Sequence, residues 1–144
     1  MTSASPARRR LATGNPYEER YGYSRALRTG DRVLVSGCTS VVDGVVLHPG
    51  DAAAQARVAL DTAVASVVAL GGRAADIVLT RMYVVDRAAC EAVGLVHGEH
   101  FAGVRPVATM VVVAGLVDEA MLVEIEVEAR LGTGTPLDRQ GRSA

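Results

Sequence analysis

The chain has 144 residues, 49% of them hydrophobic and 22% charged, with 15 basic against 16 acidic side chains and a formal net charge of -1. Those proportions fit one globular domain and exclude a disordered chain. They also lack the strongly basic footprint of a nucleic-acid binder.

Every basic residue is Arg, which we read as a compositional habit of the source genome, like the richness in Ala, Val and Gly. The two cysteines, Cys38 and Cys90, form no CxxC and are too few for a disulfide scaffold or a cysteine zinc site. They read as two separate reduced thiols, and the expected location is the cytoplasm. Arg8-Arg9-Arg10 is not followed by an apolar run of signal-peptide length. The apolar stretch Val107 to Val117 is about half the length of a membrane span. No membrane role is expected.

Residues 1–13 read as a disordered tail of Ser, Ala, Pro and Arg, and residues 132–144 as a flexible one. The folded domain is expected over residues 14–131. Within it, Tyr21 to Arg28 and Arg32 to Ser36 read as two strands joined by Thr29-Gly30-Asp31. Asp51 caps a helix running to Leu70, with Ala56, Leu60, Val64 and Val67 at helical spacing and Gly71-Gly72 ending it. Ile77 to Val85 is a strand. Asp86 caps a second helix to Phe101, and Arg105-Pro106 precedes strands Ala108 to Val113 and Leu122 to Ala129. This is an α+β pattern of order β-β-α-β-α-β-β. Right-handed crossovers place both helices on one face of a single mixed sheet. The other face, with its Val, Met and Tyr side chains, then needs covering by another subunit.

The last strand carries the chemistry. Alternation in Val123-Glu124-Ile125-Glu126-Val127-Glu128-Ala129 turns three glutamates to one face and the apolar residues to the other. A partly desolvated carboxyl there suits acid/base work, and Glu126 is central in the strand. Glu124 and Glu128 read rather as solvated or Arg-paired. In strand Ile77 to Val85, the set Val78, Thr80, Met82 and Val84 is expected against the helices. Arg81 and Tyr83 then share the carboxylate face, where Arg81 could neutralise a glutamate or grip an anion. His97 and His100 are spaced three apart on an apolar helix face without a third ligand, so they read as core or interface residues. No metal and no cofactor are expected. No GxGxxG, P-loop or GxSxG pattern is present.

Five segments together resemble a known family: Tyr23-Ser24-Arg25-Ala26, Arg32-Val33-Leu34-Val35-Ser36-Gly37, Ala53-Ala54-Gln55-Ala56-Arg57, Asp76-Ile77-Val78-Leu79-Thr80 and Val123-Glu124-Ile125-Glu126. In order and spacing they are similar to the RidA (YjgF) family of reactive-intermediate deaminases, over about Tyr17 to Arg130. The resemblance implies a chorismate-mutase-like α+β fold, a homotrimer, and small-molecule sites in clefts between subunits. It implies hydrolysis of imines and enamines such as 2-aminoacrylate. By resemblance Tyr23, Ser36, Gly37 and Glu126 occupy pocket positions, and Glu126 matches a glutamate proposed to place the attacking water.

The departures are concentrated in one stretch. The deaminase motif Pro-Ala-Arg-Ser-Cys, whose Arg clasps the substrate carboxylate, is here Pro106-Val107-Ala108-Thr109-Met110. Ala108 stands in place of that Arg, Met110 of a frequent Cys, Val112 of a frequent Glu and Gly94 of a frequent Asn. Ala108, Met110 and Val112 alternate onto one face and are expected to form an apolar wall beside Glu126. The chain therefore reads as an Arg-less relative rather than a standard 2-aminoacrylate deaminase. Three functions follow: an imine- or enamine-processing enzyme using Glu126, a non-catalytic trimer binding a metabolite or partner, and a ribonuclease. The near-neutral charge and 3% aromatic content argue against the third.

Overall fold

The computed structural model describes residues 7–132, so residues 1–6 and all but the first residue of the predicted C-terminal tail lie outside it. Part of the predicted N-terminal tail is a strand. β1 (Arg8–Leu11) pairs antiparallel with β2 (Ala26–Thr29), from Arg8 opposite Thr29 to Leu11 opposite Ala26. A short strand rich in arginine is stable at a sheet edge because its charged side chains remain in water. Leu11 packs against the core, and Arg10 Nε donates to Ser24 Oγ at 2.8 Å.

The first half of the predicted strand Tyr21 to Arg28 is not extended either. Its start belongs to α1 (Pro16–Tyr21), capped by Asn15, whose side chain accepts from the Tyr17 N–H at 3.0 Å. Glu18 reaches back to accept from the Asn15 N–H at 3.0 Å, which completes a capping box. Gly22 ends the helix at φ 71°, in the left-handed region that glycine enters without steric cost. The Glu18 carboxylate also accepts from the Thr13 N–H, the Thr13 hydroxyl at 2.6 Å and the Arg25 N–H at 3.0 Å. One buried carboxylate thus ties the segment after β1, helix α1 and the start of β2 together.

β3 (Arg32–Cys38) follows through the Gly30 turn, as expected. A hairpin of β4 (Val41–Val42) and β5 (Val45–Val46) then turns at Asp43-Gly44, both with positive φ, and forms its own two-stranded sheet. α2 (Ala52–Ala69) is capped by the Asp51 side chain, which accepts from the Ala54 N–H. β6 (Ile77–Val84), α3 (Cys90–Phe101), β7 (Val107–Val112) and β8 (Val123–Arg130) complete the chain. The main sheet has the order β1-β2-β3-β8-β6-β7. All its pairs are antiparallel except β6 with β7, which is the pair that α3 bridges. The fold is the α+β type expected, with a mixed sheet.

The core lies between this sheet and helices α2 and α3. Ala56, Ala59 and Ala63 are fully buried on α2, and their small side chains let the helix lie close to the strands. α2 has the length and apolarity of a marginal membrane span, but Leu60 and Val67 are also buried in this core. Gln55, likewise buried, donates to the carbonyls of His48 and Ala120 and accepts from the Leu122 N–H at 2.8 Å. It fixes the approach to β8, and hence the strand that carries the glutamates.

Alternation in β6 holds from Thr80 onward but not before. Ile77 is 2% exposed and Val78 36%, the reverse of the expected faces. A register shift against β8 between Ile77 and Leu79 adds one residue and exchanges the two sides.

Candidate functional site

β8 alternates as its sequence requires: Val123, Ile125, Val127 and Ala129 are buried under the helices, and Glu124, Glu126 and Glu128 line the open face. Their surroundings separate three roles. Glu128 accepts from Arg32 Nη2 at 2.7 Å and from its Nε at 3.0 Å, a surface ion pair of the expected kind.

Glu126 accepts from the Tyr83 hydroxyl at 2.5 Å, and Arg81 Nη1 lies 3.8 Å away. The β6–β8 register produces this group by setting Arg81 opposite Glu126 and Tyr83 opposite Glu124. Donation to Glu126 holds the Tyr83 phenol above its ordinary pKa, so it remains a donor at neutral pH.

β3 approaches Glu126 with a bulge. Val35 pairs with Val127 and Cys38 with Ile125, leaving Ser36 and Gly37 together across from Glu126. Arg25 holds the bulge closed. Its Nη1 donates to the Gly37 carbonyl at 2.7 Å, the Ser36 carbonyl at 3.2 Å and Cys38 Sγ at 3.1 Å. A Cβ on residue 37 would overlap the Glu124 carboxylate, so only glycine lets that side chain occupy its place. Burial against the bulge raises the Glu124 pKa, Arg25 opposes the shift, and the neighbouring Glu126 adds to it.

Two depressions meet at Glu126. A cleft of about 240 Å³ is lined by Gly37, Tyr83, Glu124, Glu126 and the segment Val113, Gly115 and Leu116. A groove of about 400 Å³ runs from Glu126 past Ser36, Tyr23 and Ser24 to Leu34, Leu27 and Arg8. Chemically the site offers two adjacent carboxyls in different surroundings, a phenol donor, a guanidinium and a backbone bulge. That set can hold and move protons beside a small polar ligand.

The family profile described as Endoribonuclease L-PSP matches residues 14–131. An uncharacterized protein of Streptomyces coelicolor is 40% identical over 128 residues, which span 89% of this chain and 96% of that one. A solved protein of Mycobacterium tuberculosis, from the YjgF/YER057c/UK114 family, is 39% identical with a TM-score of 0.79, covering 87% of this chain and all of that one. The chain belongs to the YjgF/YER057c/UK114 family. TdcF of Escherichia coli, solved with bound serine, is 25% identical with a TM-score of 0.70, covering 90% of this chain and 98% of that one.

The positions that the YjgF resemblance singled out divide between the two sheet faces. Ser36 and Gly37 form the bulge, Tyr23 lines the groove, and Arg81 stands beside Glu126. Ala108 and Met110 do not join them. In the parallel β6–β7 register Ala108 lies beside Thr80, Met110 beside Met82 and Val112 beside Val84, and all three β6 partners are buried on the helix side. The expected apolar wall beside Glu126 is therefore absent from the single chain, and Met110 instead packs toward the core near Gly94. On the cleft side β7 presents Val107, Thr109 and Val111.

Arg25 and Glu124 are the site residues that sequence reasoning passed over. Glu124 obeys the same alternation as Glu126, but its burial depends on the bulge. The histidines behave as expected of packing residues. His97 Nε2 lies 2.8 Å from Thr80 Oγ1 with its ring 4.8 Å from Phe101, and burial lowers its pKa. His100 pairs with Asp61 at 3.0 Å. Cys38 is buried, which raises its thiol pKa against the pull of Arg25 and keeps it unreactive. Among the described residues no group of His, Cys, Asp or Glu could hold a metal ion.

Proposed function

We propose that this protein is a cytoplasmic enzyme of small-molecule metabolism that hydrolyses or tautomerises an imine- or enamine-type intermediate, with Glu126 as acid/base. The observation that carries this reading is the placement of Glu126 where both depressions meet, hydrogen-bonded by Tyr83 and adjacent to Glu124. In hydrolysis Glu126 takes a proton from water as the oxygen attacks the imine carbon. The proton passes to nitrogen to give a carbinolamine; the hydroxyl proton then moves to nitrogen as the C–N bond breaks, which releases ammonia and a carbonyl product. Glu124, whose carboxyl keeps its proton to higher pH than usual, is the second proton carrier. Serine bound to TdcF of Escherichia coli supports a small-molecule ligand in this fold.

The active assembly in this proposal is a homotrimer. The β6–β7 end of the open sheet face carries Leu79, Val107 and Val111 among its charges, and a neighbouring subunit would cover that end and complete the cleft, leaving the groove over Leu27 and Leu34 open. Ala108 and Met110, on the far side of edge strand β7, would then serve a cleft formed with another copy. Light scattering at micromolar concentration is expected to report about three times the chain mass of 15.0 kDa. A stable monomer would overturn this.

Because Ala108 supplies no anion clamp, keto-acid release from enzymatically generated 2-aminoacrylate is expected to rise little above the uncatalysed rate. Losing a bidentate Arg–carboxylate contact costs on the order of a few kcal/mol in transition-state binding. The test is to supply imines of increasing size in situ and measure carbonyl product and ammonia. Turnover of bulkier members but not of 2-aminoacrylate supports the reading, whereas turnover of none leaves a binding trimer. The ribonuclease reading finds no support in the charge of -1.

A further inference from the structure

The groove that ends at Glu126 has a cation at its other end. Arg8, Arg10, Arg32 and Arg130 all belong to the open face of β1, β3 and β8. Arg10 donates to Ser24, Arg32 pairs with Glu128, and Arg130 lies 3.3 Å from Asp31. The Arg8 side chain makes no hydrogen bond or ion pair with any of the described residues, yet it lines the groove.

The strand register sets the distance. Arg8 lies in the row of Thr29 and Arg32, and Glu126 faces the Ser36–Gly37 bulge. Between these rows lies that of Leu27 and Leu34, flanked by Arg10 on β1 and Glu128 on β8. Four residues of strand separate the two charged rows, about 14 Å along the sheet, part of which the arginine stem spans. The groove thus presents the Arg8 guanidinium, the side chains of Leu27 and Leu34, then Tyr23, Ser24 and Ser36 beside the Glu126 carboxylate.

We propose that this groove binds a small organic anion whose carboxylate is held by Arg8, whose apolar body lies on Leu27 and Leu34, and whose nitrogen end sits at Glu126. The proposal rests on the function proposed above and names its substrate class. The C–N centre is separated from the carboxylate by several apolar carbons, unlike an α-imino acid. Arg8 thereby does from the N-terminal strand what Ala108 does not do from β7, with a longer ligand as the consequence. A planar carboxylate suits the guanidinium fork, and burying alkyl carbons on two leucines adds to binding.

The test uses the full chain and three probes: 6-aminohexanoate, hexylamine and hexanoate, titrated by calorimetry. Wild type is expected to bind 6-aminohexanoate saturably and roughly ten- to a hundredfold more tightly than hexylamine, the range for one charge-assisted contact. Arg8→Gln should bring 6-aminohexanoate down to the hexylamine level, while Arg9→Gln, which alters the opposite face of β1, should change nothing. Glu126→Gln should weaken both amines and spare hexanoate. Unchanged binding in Arg8→Gln, or no saturable binding of 6-aminohexanoate up to about 10 mM, overturns the proposal. Unchanged Arg8→Gln beside a weakened Glu126→Gln would leave the function of Glu126 standing without this substrate class. Light scattering on the same samples adds a further criterion. If Arg8→Gln breaks the assembly, Arg8 is an inter-subunit ion-pair partner and the ligand role is wrong.

Discussion

Replacing Glu126 by Gln is expected to lower turnover by about 10²- to 10⁴-fold, the range for a positioned acid/base group, while leaving the fold and oligomeric state intact. Glutamine keeps the shape and can still accept from the Tyr83 hydroxyl, so the 2.5 Å contact loses its charge but not its geometry. Arg81 then has no anion at 3.8 Å, a small loss for a largely exposed pair. Tyr83→Phe is the graded companion: it removes the donor but leaves the base, and a partial loss is expected. Product formation and thermal stability must be measured on the same preparations. If Glu126→Gln retains activity but melts earlier or dissociates, Glu126 is a structural carboxylate. If nothing changes, it is neither.

Much of this site could be read from alternation alone, because β8 is a clean polar and apolar repeat with no bulge inside it. Glu126, Arg81 and Tyr83 came to one face by that rule. The rule fails where a strand gives no polar contrast. Val107 to Val112 contains a single Thr among apolar residues, so its phase is set by the β6–β7 pairing, and the pairing places Ala108 and Met110 on the helix side. It fails again at Val78 and at Ser36-Gly37, since an inserted residue changes phase without changing composition. Arg25 was hidden for a different reason. Its importance lies in donating to backbone carbonyls across the sheet, which no sequence spacing announces. By contrast, helix α1 had a legible signal: Asn15, Pro16 and Glu18 are an N-cap, a first-turn proline and a capping-box acid in consecutive order. Three arginines in a row concealed β1, because the same charges suit a solvated tail and a sheet edge.

The N-terminal region depends heavily on one residue. Glu18 is 6% exposed and has donors on every side: the N–H groups of Thr13, Asn15 and Arg25 and the Thr13 hydroxyl. Burial pushes its pKa up, but those hydrogen bonds outweigh burial and hold the carboxyl below its ordinary range. Glu18→Gln turns an amide N–H₂ toward donors and leaves at least one N–H unsatisfied. The expected cost is about 2–4 kcal/mol, or roughly 8–15 °C in Tm for a domain of this size. The pH dependence follows from the direction of the shift. The unfolded chain binds the Glu18 proton more tightly than the folded one, so this stabilisation is complete above the unfolded pKa of about 4.3. It is lost as pH falls from there through the folded pKa. Urea unfolding between pH 6 and pH 3 should show wild type losing stability more steeply than Glu18→Gln, with the two curves converging at the acid end. Parallel curves would show that other carboxylates dominate acid unfolding and that the Glu18 hub contributes little. Convergence would show that the ionised Glu18 carboxylate fastens the segment between β1 and β2.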